Sequence, residues 1–378
     1  MAQFINAVRE YLWPLGLVLL ILMIHSCGSE SSSSAAKSAL PGFDLRNLDT
    51  TAQPCQDFYT YVAGGWQERH PIPASESRWG SFGMLARENY RKIHDLLDSL
   101  KALDTGKPMP HYGQLLREHY RAGTDTFRIQ QRDLEPLQPH LREIRSIHSQ
   151  EDHQTYLPYA LRQDFSLPFS MKVGVDDKES DSYVLEFSQA GTGLPDREYY
   201  LRTDSSSRAI QDQYRSHIAT MLSFLPSGDH HAKDKAQRIY RLEEKLARAM
   251  MDRVSRRNPD NTYHKWSREK VVRKLKVLDI PFLNRDLGLQ WDSALVKQPD
   301  YFADLQEIWK ETPLEDWRAY HTWHLLRRTA DLLPYRFQQE HFHFYKQVLR
   351  GTAQMKPRWR RVMGTLSDGL GEALGRLY

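Results

Sequence analysis

Apolar side chains recur three and four residues apart in segment after segment of this chain, and that period is broken at length only once. In "AKDKAQRIYRLEEKLARAMM", residues 232–251, Ala236, Ile239, Leu242, Leu246 and Ala249 share one helical face while Lys and Glu occupy the other. Segments 87–103, 112–122, 207–224, 267–276, 315–332 and 336–349 read the same way. The break is "FSMKVGVDDKESDSYVLEFSQAG", residues 169–191, where apolar and polar residues alternate on both sides of the turn-rich "DDKESD". That is the pattern of a β-hairpin. "GTGLPDREYYLR" follows, in which Gly, Pro and Asp turn the chain and Tyr199-Tyr200 restart it. The expected fold class is mainly α, a large multi-helix domain with a small β-hairpin insertion.

The N-terminus is not part of that domain. "YLWPLGLVLLILMI" is an apolar run of the length of a secretory core rather than of a spanning helix, and "HSCGSESSSSAAKS" comes next. Ser26-Cys27 sit where a lipoprotein signal peptidase cuts, so residues 1–27 read as a lipoprotein signal peptide with Cys27 as the lipidated residue. A signal anchor is the alternative, and both place the bulk of the chain outside the cytoplasm, held at a membrane. Residues 28–42 read as a flexible Ser/Ala-rich tether and 43–378 as the folded domain. With Cys27 acylated, Cys55 is the one thiol left; a lone cysteine is expected as a small buried hydrophobe, not a nucleophile.

Both ends of the domain carry signals. At its start, "PCQDFYTYVAGGW", residues 54–66, reads as an amphipathic helix stopped by Gly64-Gly65 in a tight turn ahead of Trp66, with a packed Phe58/Tyr61 face. At its end, Leu366, Leu370, Leu374 and Leu377 share a face that reaches the last residue without a cap or polar tail. Such a face expects further protein to pack against, and the chain reads as cut short.

Chemistry is harder to find. The net charge of +4 comes from 52 basic and 48 acidic residues, and no basic stripe with stacking aromatics occurs, which excludes nucleic acid as the expected partner. Sixteen histidines invite a metal, yet no H-E-x-x-H is present. His321 and His324 can share a helix face but lack an acidic third ligand; His341 and His343 fall on different faces, and His230-His231 are adjacent. Each is expected as a surface or packed histidine. No G-x-S-x-G, Walker loop or dinucleotide fingerprint occurs.

"PCQDFYTYVAGGWQERHPIPASESRWGSF" closely resembles the opening of the extracellular part of the neprilysin family of zinc metallopeptidases, which reads P-C-x-D-F-[YF]-x-Y, G-x-W, I-P and R-[YW]-G-x-F. The resemblance continues in order at "GLPDREYYL", "RTADLLPYRF", "HFHFYKQVLRGTAQMKPRWRRVM" and "LGEALGRLY", covering 43–378. It implies the family's largely helical N-terminal cap domain, which encloses a cavity that admits oligopeptides. The family's catalytic part lies downstream, where H-E-x-x-H and E-x-x-x-D hold zinc; neither motif is present here, so the resemblance assigns no catalytic residue and no metal ligand to this chain. Zinc is expected in the full-length family enzyme and not on this chain alone. One contact carries over: the Arg of R-[YW]-G-x-F, which meets the carboxylate of short peptides, is Arg78, and a guanidinium suits that task by bidentate hydrogen bonding. Neprilysin has Asp five residues later, where this chain has Gly83, and Ala63 replaces its Y-A-C-G-G-W cysteine. The expected function is therefore the substrate-enclosing domain of an exported zinc metalloendopeptidase, with oligopeptides, a membrane and a missing C-terminal catalytic domain as partners. The alternative is a non-catalytic peptide-binding lipoprotein complete at Tyr378.

Overall fold

The computed structural model describes residues 44–103, 109–226 and 231–378. The signal segment, Cys27, the 28–42 tether and His230 lie outside the described residues. The chain divides into two compact units between Pro71 and Ile72. Among the described residues no helix is long and apolar enough to cross a membrane.

In the first unit a 3-10 turn, Leu45–Asn47, precedes helix α1, Phe58–Arg69. Asp57 caps α1 by accepting the Thr60 amide at 2.9 Å, as an N-cap carboxylate should. Two expectations fail here. Gly64 and Gly65 do not stop the helix, which runs on through Trp66 to Arg69. They lie where the preceding strand of chain crosses α1: a Cβ on Gly65 would stand 2.5 Å from the Arg46 carbonyl oxygen and 2.7 Å from that of Leu48. The crossing is fixed by the Asp49 amide on the Tyr61 carbonyl, 2.8 Å, and by Arg69 on Asn47 Oδ1, also 2.8 Å. The glycines thus serve close backbone approach, not a turn. Second, the packed Phe58/Tyr61 face and the buried Cys55 are not found: Phe58 and Cys55 are exposed and Tyr61 is half-buried, because the unit has no core deep enough to cover them.

The second unit is built mainly of helices. Those that position the site are α2 (Ser81–Ala102), α3 (His111–Thr124), α4 (Gln150–Arg162), α5 (Ser205–Ser223), α6 (Ala232–Ala249), α7 (Leu314–Thr329), α8 (Tyr335–Phe342) and α9 (Arg358–Leu377), with a π-helical stretch, His343–Val348, continuing α8. The expected face of α6 is the buried one: Ala236, Ile239, Leu242 and Leu246 are in the core, with Ala249 at its margin. The expected hairpin forms from β1 (Phe169–Val175) and β2 (Tyr183–Gln189), antiparallel with Phe169 opposite Gln189. It extends into a four-stranded sheet with β3 (Lys265–Ser267) and β4 (Ser293–Val296), in the order β1-β2-β4-β3. β4 runs parallel to β2, pairing Leu185 with Ala294 and Phe187 with Val296, which buries Phe187 and Val296.

Two apolar clusters hold the unit. The larger joins α4–α8 to the sheet around Trp317, Trp323, Tyr214 and Phe302. The smaller consists of Leu97, Leu116, Tyr120, Val362, Met363, Leu366 and Leu374. The leucine stripe of α9 therefore packs within the chain, against α2 and α3, with Leu370 and Leu377 at its edge.

Candidate functional site

Arg78 lies on the extended segment that leads into α2. This segment is tied down before the arginine: the Ala74 carbonyl accepts the Gln354 amide at 2.9 Å, and Glu76 pairs with Lys356 at 2.7 Å. Arg78 itself is exposed and forms no hydrogen bond or ion pair among the described residues. Its neighbour Trp79 turns back over Gly83, where a Cβ would meet the indole at 3.0 Å, and the Arg87 guanidinium stands 4.7 Å from the indole ring. The space beside Gly83 is thus taken by the Trp79 indole. One turn on, Phe82 is 90% exposed and Leu85 stands beside it at helical spacing, also exposed. An unpaired guanidinium next to a bare apolar stripe can take a carboxylate and an apolar side chain of one ligand together. Phe82, the last letter of "SRWGSF", becomes a site candidate only through its exposure in the fold.

A second constellation surrounds the "GTGLP" loop. Gly191, at φ +101°, has no room for a side chain against the Pro168 Cα at 2.5 Å. Three buried tyrosines and the half-buried Tyr345 then clamp the loop: Tyr301 donates to the Ala190 carbonyl at 3.0 Å, Tyr320 to Gly191 at 2.8 Å and Tyr345 to Gly193 at 3.0 Å, while Tyr200 accepts the Leu194 amide at 2.8 Å. Tyr200 in turn donates to Glu243 Oε2 at 2.8 Å, as does Tyr214, and His324 Nε2 lies 2.9 Å from Oε1. Burial, reinforced by Glu243, pushes the Tyr200 and Tyr214 hydroxyls well above their ordinary range, so both remain donors. Burial holds the His324 imidazole low, with Glu243 opposing. Glu243 is wholly buried, so the network fixes α5, α6 and α7 around the loop and cannot reach a substrate.

Among the described residues the histidines do not come together as a zinc site. His321 is buried, and its Nε2 lies 2.8 Å from Nε2 of His153 on α4, a hydrogen bond rather than a pair of ligands around an ion. His341 and His343 do not converge: the His341 ring lies tilted against Tyr345 and His217, whereas His343 Nδ1 lies 3.0 Å from Gln347 Oε1. Among the described residues no group of three or more His, Cys, Asp or Glu could hold a metal ion. His153 and Glu243 escaped sequence reasoning because their partners lie 168 and 81 residues away.

Comparison with known proteins agrees with the resemblance. The family model described as Peptidase family M13 matches residues 54–378. Human endothelin-converting enzyme 1 is 27% identical over 366 residues, covering 93% of this chain and 46% of that protein. The crystal structure of the Mycobacterium tuberculosis zinc metalloprotease Zmp1 superposes with a TM-score of 0.83 at 29% identity, covering 90% of this chain and 52% of that one. PepO from Lactobacillus rhamnosis shares the fold, with a TM-score of 0.74 at 18% identity over 86% of this chain and 51% of that one. The chain thus spans about half the length of the relatives it matches. It belongs to peptidase family M13, the neprilysin family, and corresponds to that family's N-terminal region.

Proposed function

We propose that this chain is the substrate-enclosing part of an exported, lipid-anchored M13 zinc endopeptidase that hydrolyses oligopeptides, with its zinc-binding catalytic part encoded beyond residue 378. The observation that carries the reading is Arg78: an exposed, unpaired guanidinium on a segment anchored at Ala74 and Glu76, at the position where the family reads a peptide carboxylate. Phe82 and Leu85 supply the apolar surface that a peptide side chain needs beside it. The cap's residues bind and orient; bond cleavage falls to the zinc-bearing half, and the H-E-x-x-H that would hold the metal has no counterpart in this sequence. Cys27 is the residue assigned to the lipid anchor.

Two measurements test this. Reading the coding DNA beyond codon 378 is expected to find an open frame that continues into H-E-x-x-H and E-x-x-x-D; a stop codon there overturns the catalytic reading and leaves a peptide binder. In a binding assay, Arg78→Gln is expected to weaken capture of a short peptide with a free C-terminus by about tenfold, the scale of one charge-assisted hydrogen-bonded pair. Unchanged affinity overturns the role of Arg78.

A further inference from the structure

A cleft of ≈ 620 Å³ opens beside the clamped loop, lined by residues between Asp164 and Met171, by Ala190–Pro195 and by Arg327, Arg328, Tyr345 and Arg350. Its charge is lopsided. Asp164 is the one carboxylate among the lining residues, and it is committed to Arg328. Arg350 is exposed and has no hydrogen-bond or ion-pair partner among the described residues. Arg327 is half-buried, and its single hydrogen bond runs from Nε to the Tyr345 hydroxyl at 3.1 Å, leaving both terminal nitrogens without a partner. No carboxylate pairs with it among the described residues, although a partly desolvated cation gains most from one.

Arg327 is also held still. Tyr345 fixes its Nε, Tyr345 is itself fixed on the Gly193 carbonyl at 3.0 Å, and its ring lies 5.8 Å from the guanidinium carbon. A guanidinium positioned by packing and one hydrogen bond, with two nitrogens free, is a preorganised fork for an oxyanion. The amides of Gly191, Thr192 and Gly193, which share the lining, likewise donate to no group among the described residues. The cleft is too large for a lone small anion but suits an extended peptide segment.

We infer that this cleft binds a carboxylate-bearing peptide segment, with Arg327 and Arg350 gripping the carboxylate and the Gly191–Gly193 backbone available to the adjoining peptide group. The site goes beyond the Arg78 reading and uses none of its residues. The carboxylate has two possible sources, an acidic side chain or a chain terminus, and the probes separate them. One is an acetylated, C-amidated tetrapeptide with a single Asp; the other is its Asn counterpart with a free C-terminus. Both are titrated against the 378-residue chain by calorimetry.

Saturable binding of either probe, weakened about tenfold or more by Arg350→Gln and by Arg327→Gln, with binding of the C-amidated Asp probe unchanged by Arg78→Gln, supports the site and names the source. Arg350 is on the surface, so Arg350→Gln keeps the test valid even where Arg327→Gln disturbs packing. Tyr345→Phe, which frees the Arg327 guanidinium, is expected to weaken binding by a smaller factor. Binding lost only with Arg78→Gln, binding insensitive to both arginine variants, or no binding by either probe overturns the inference. Displacement of the peptide by an equal concentration of inorganic phosphate overturns the peptide assignment.

Discussion

The buried pair His153 and His321 shows most directly how one residue choice makes this fold sensitive to its surroundings. Their Nε2 atoms share one hydrogen bond inside a cage of Trp309, Trp317 and Tyr156, so at least one ring must be neutral there. Burial lowers His153 from 6.5 to about 3, and burial together with His153 and His324 takes His321 well below its ordinary value. The folded state thus refuses protons that the unfolded chain accepts. Above pH 6.5 neither state is protonated at these rings and stability is undiminished. Below it, the unfolded chain gains protons, and stability falls by roughly 1.4 kcal/mol per pH unit for each histidine. Urea unfolding at pH 7.5, 6.5 and 5.5, a window above the carboxylate range, is expected to show this loss. His153→Leu is expected to flatten the slope by about one proton; an unchanged slope refutes the assignment.

At the scale of elements, the same substitution has opposite signs in two helices. Gly364 lies in α9 with nothing within 4 Å of an added Cβ, so Gly364→Ala is expected to stabilise by about 0.5–1 kcal/mol through helix propensity alone. Gly65 lies in α1 against the Arg46 and Leu48 carbonyls, so Gly65→Ala meets backbone that cannot yield, and overpacking of about 1–3 kcal/mol outweighs propensity. Hydrogen exchange of α1 amides, faster in Gly65→Ala than in the parent chain, is the readout. The α9 stripe gives a complementary case: Leu366 is fully buried between α2 and α3, and Leu366→Ala is expected to cost about 2–5 kcal/mol. Thermal melting checks both α9 variants, one upward and one downward. These elements also mark what the sequence could reveal. The α6 face and the β1-β2 hairpin were legible because their periods, 3.6 and 2, are written in consecutive residues. β3 and β4 were not, because three- and four-residue strands carry too little alternation to register. The role of Gly64-Gly65 was hidden because a close crossing depends on the other chain segment, whereas a helix stop and a helix contact look alike in one dimension.

Across the whole molecule, the same contrast separates fold from site. Family motifs marked Arg78 and the "GLPDREYY" loop in order along the chain, but the partners that give the loop its shape come from Glu243, Tyr301, Tyr320 and Tyr345, spread over a hundred residues. Those partners also locate the stability of the molecule. Both apolar clusters are made wholly of residues beyond Ile72, and no residue between 44 and 71 is buried. A unit that buries its own core does not need a neighbour to fold. Residues 72–378 produced alone are therefore expected to unfold cooperatively within a few degrees of the parent chain, since removing an uncored segment leaves both clusters intact. Near-ultraviolet circular dichroism checks this, because Trp317 and Trp323 sit in the larger cluster and report its packing. A fragment that keeps its far-ultraviolet helix signal but loses the near-ultraviolet one would mean that the first unit supplies order to a core in which it has no residue. A fragment that keeps both places the Arg78 segment and the Arg327 cleft on a scaffold that assembles from its own side chains.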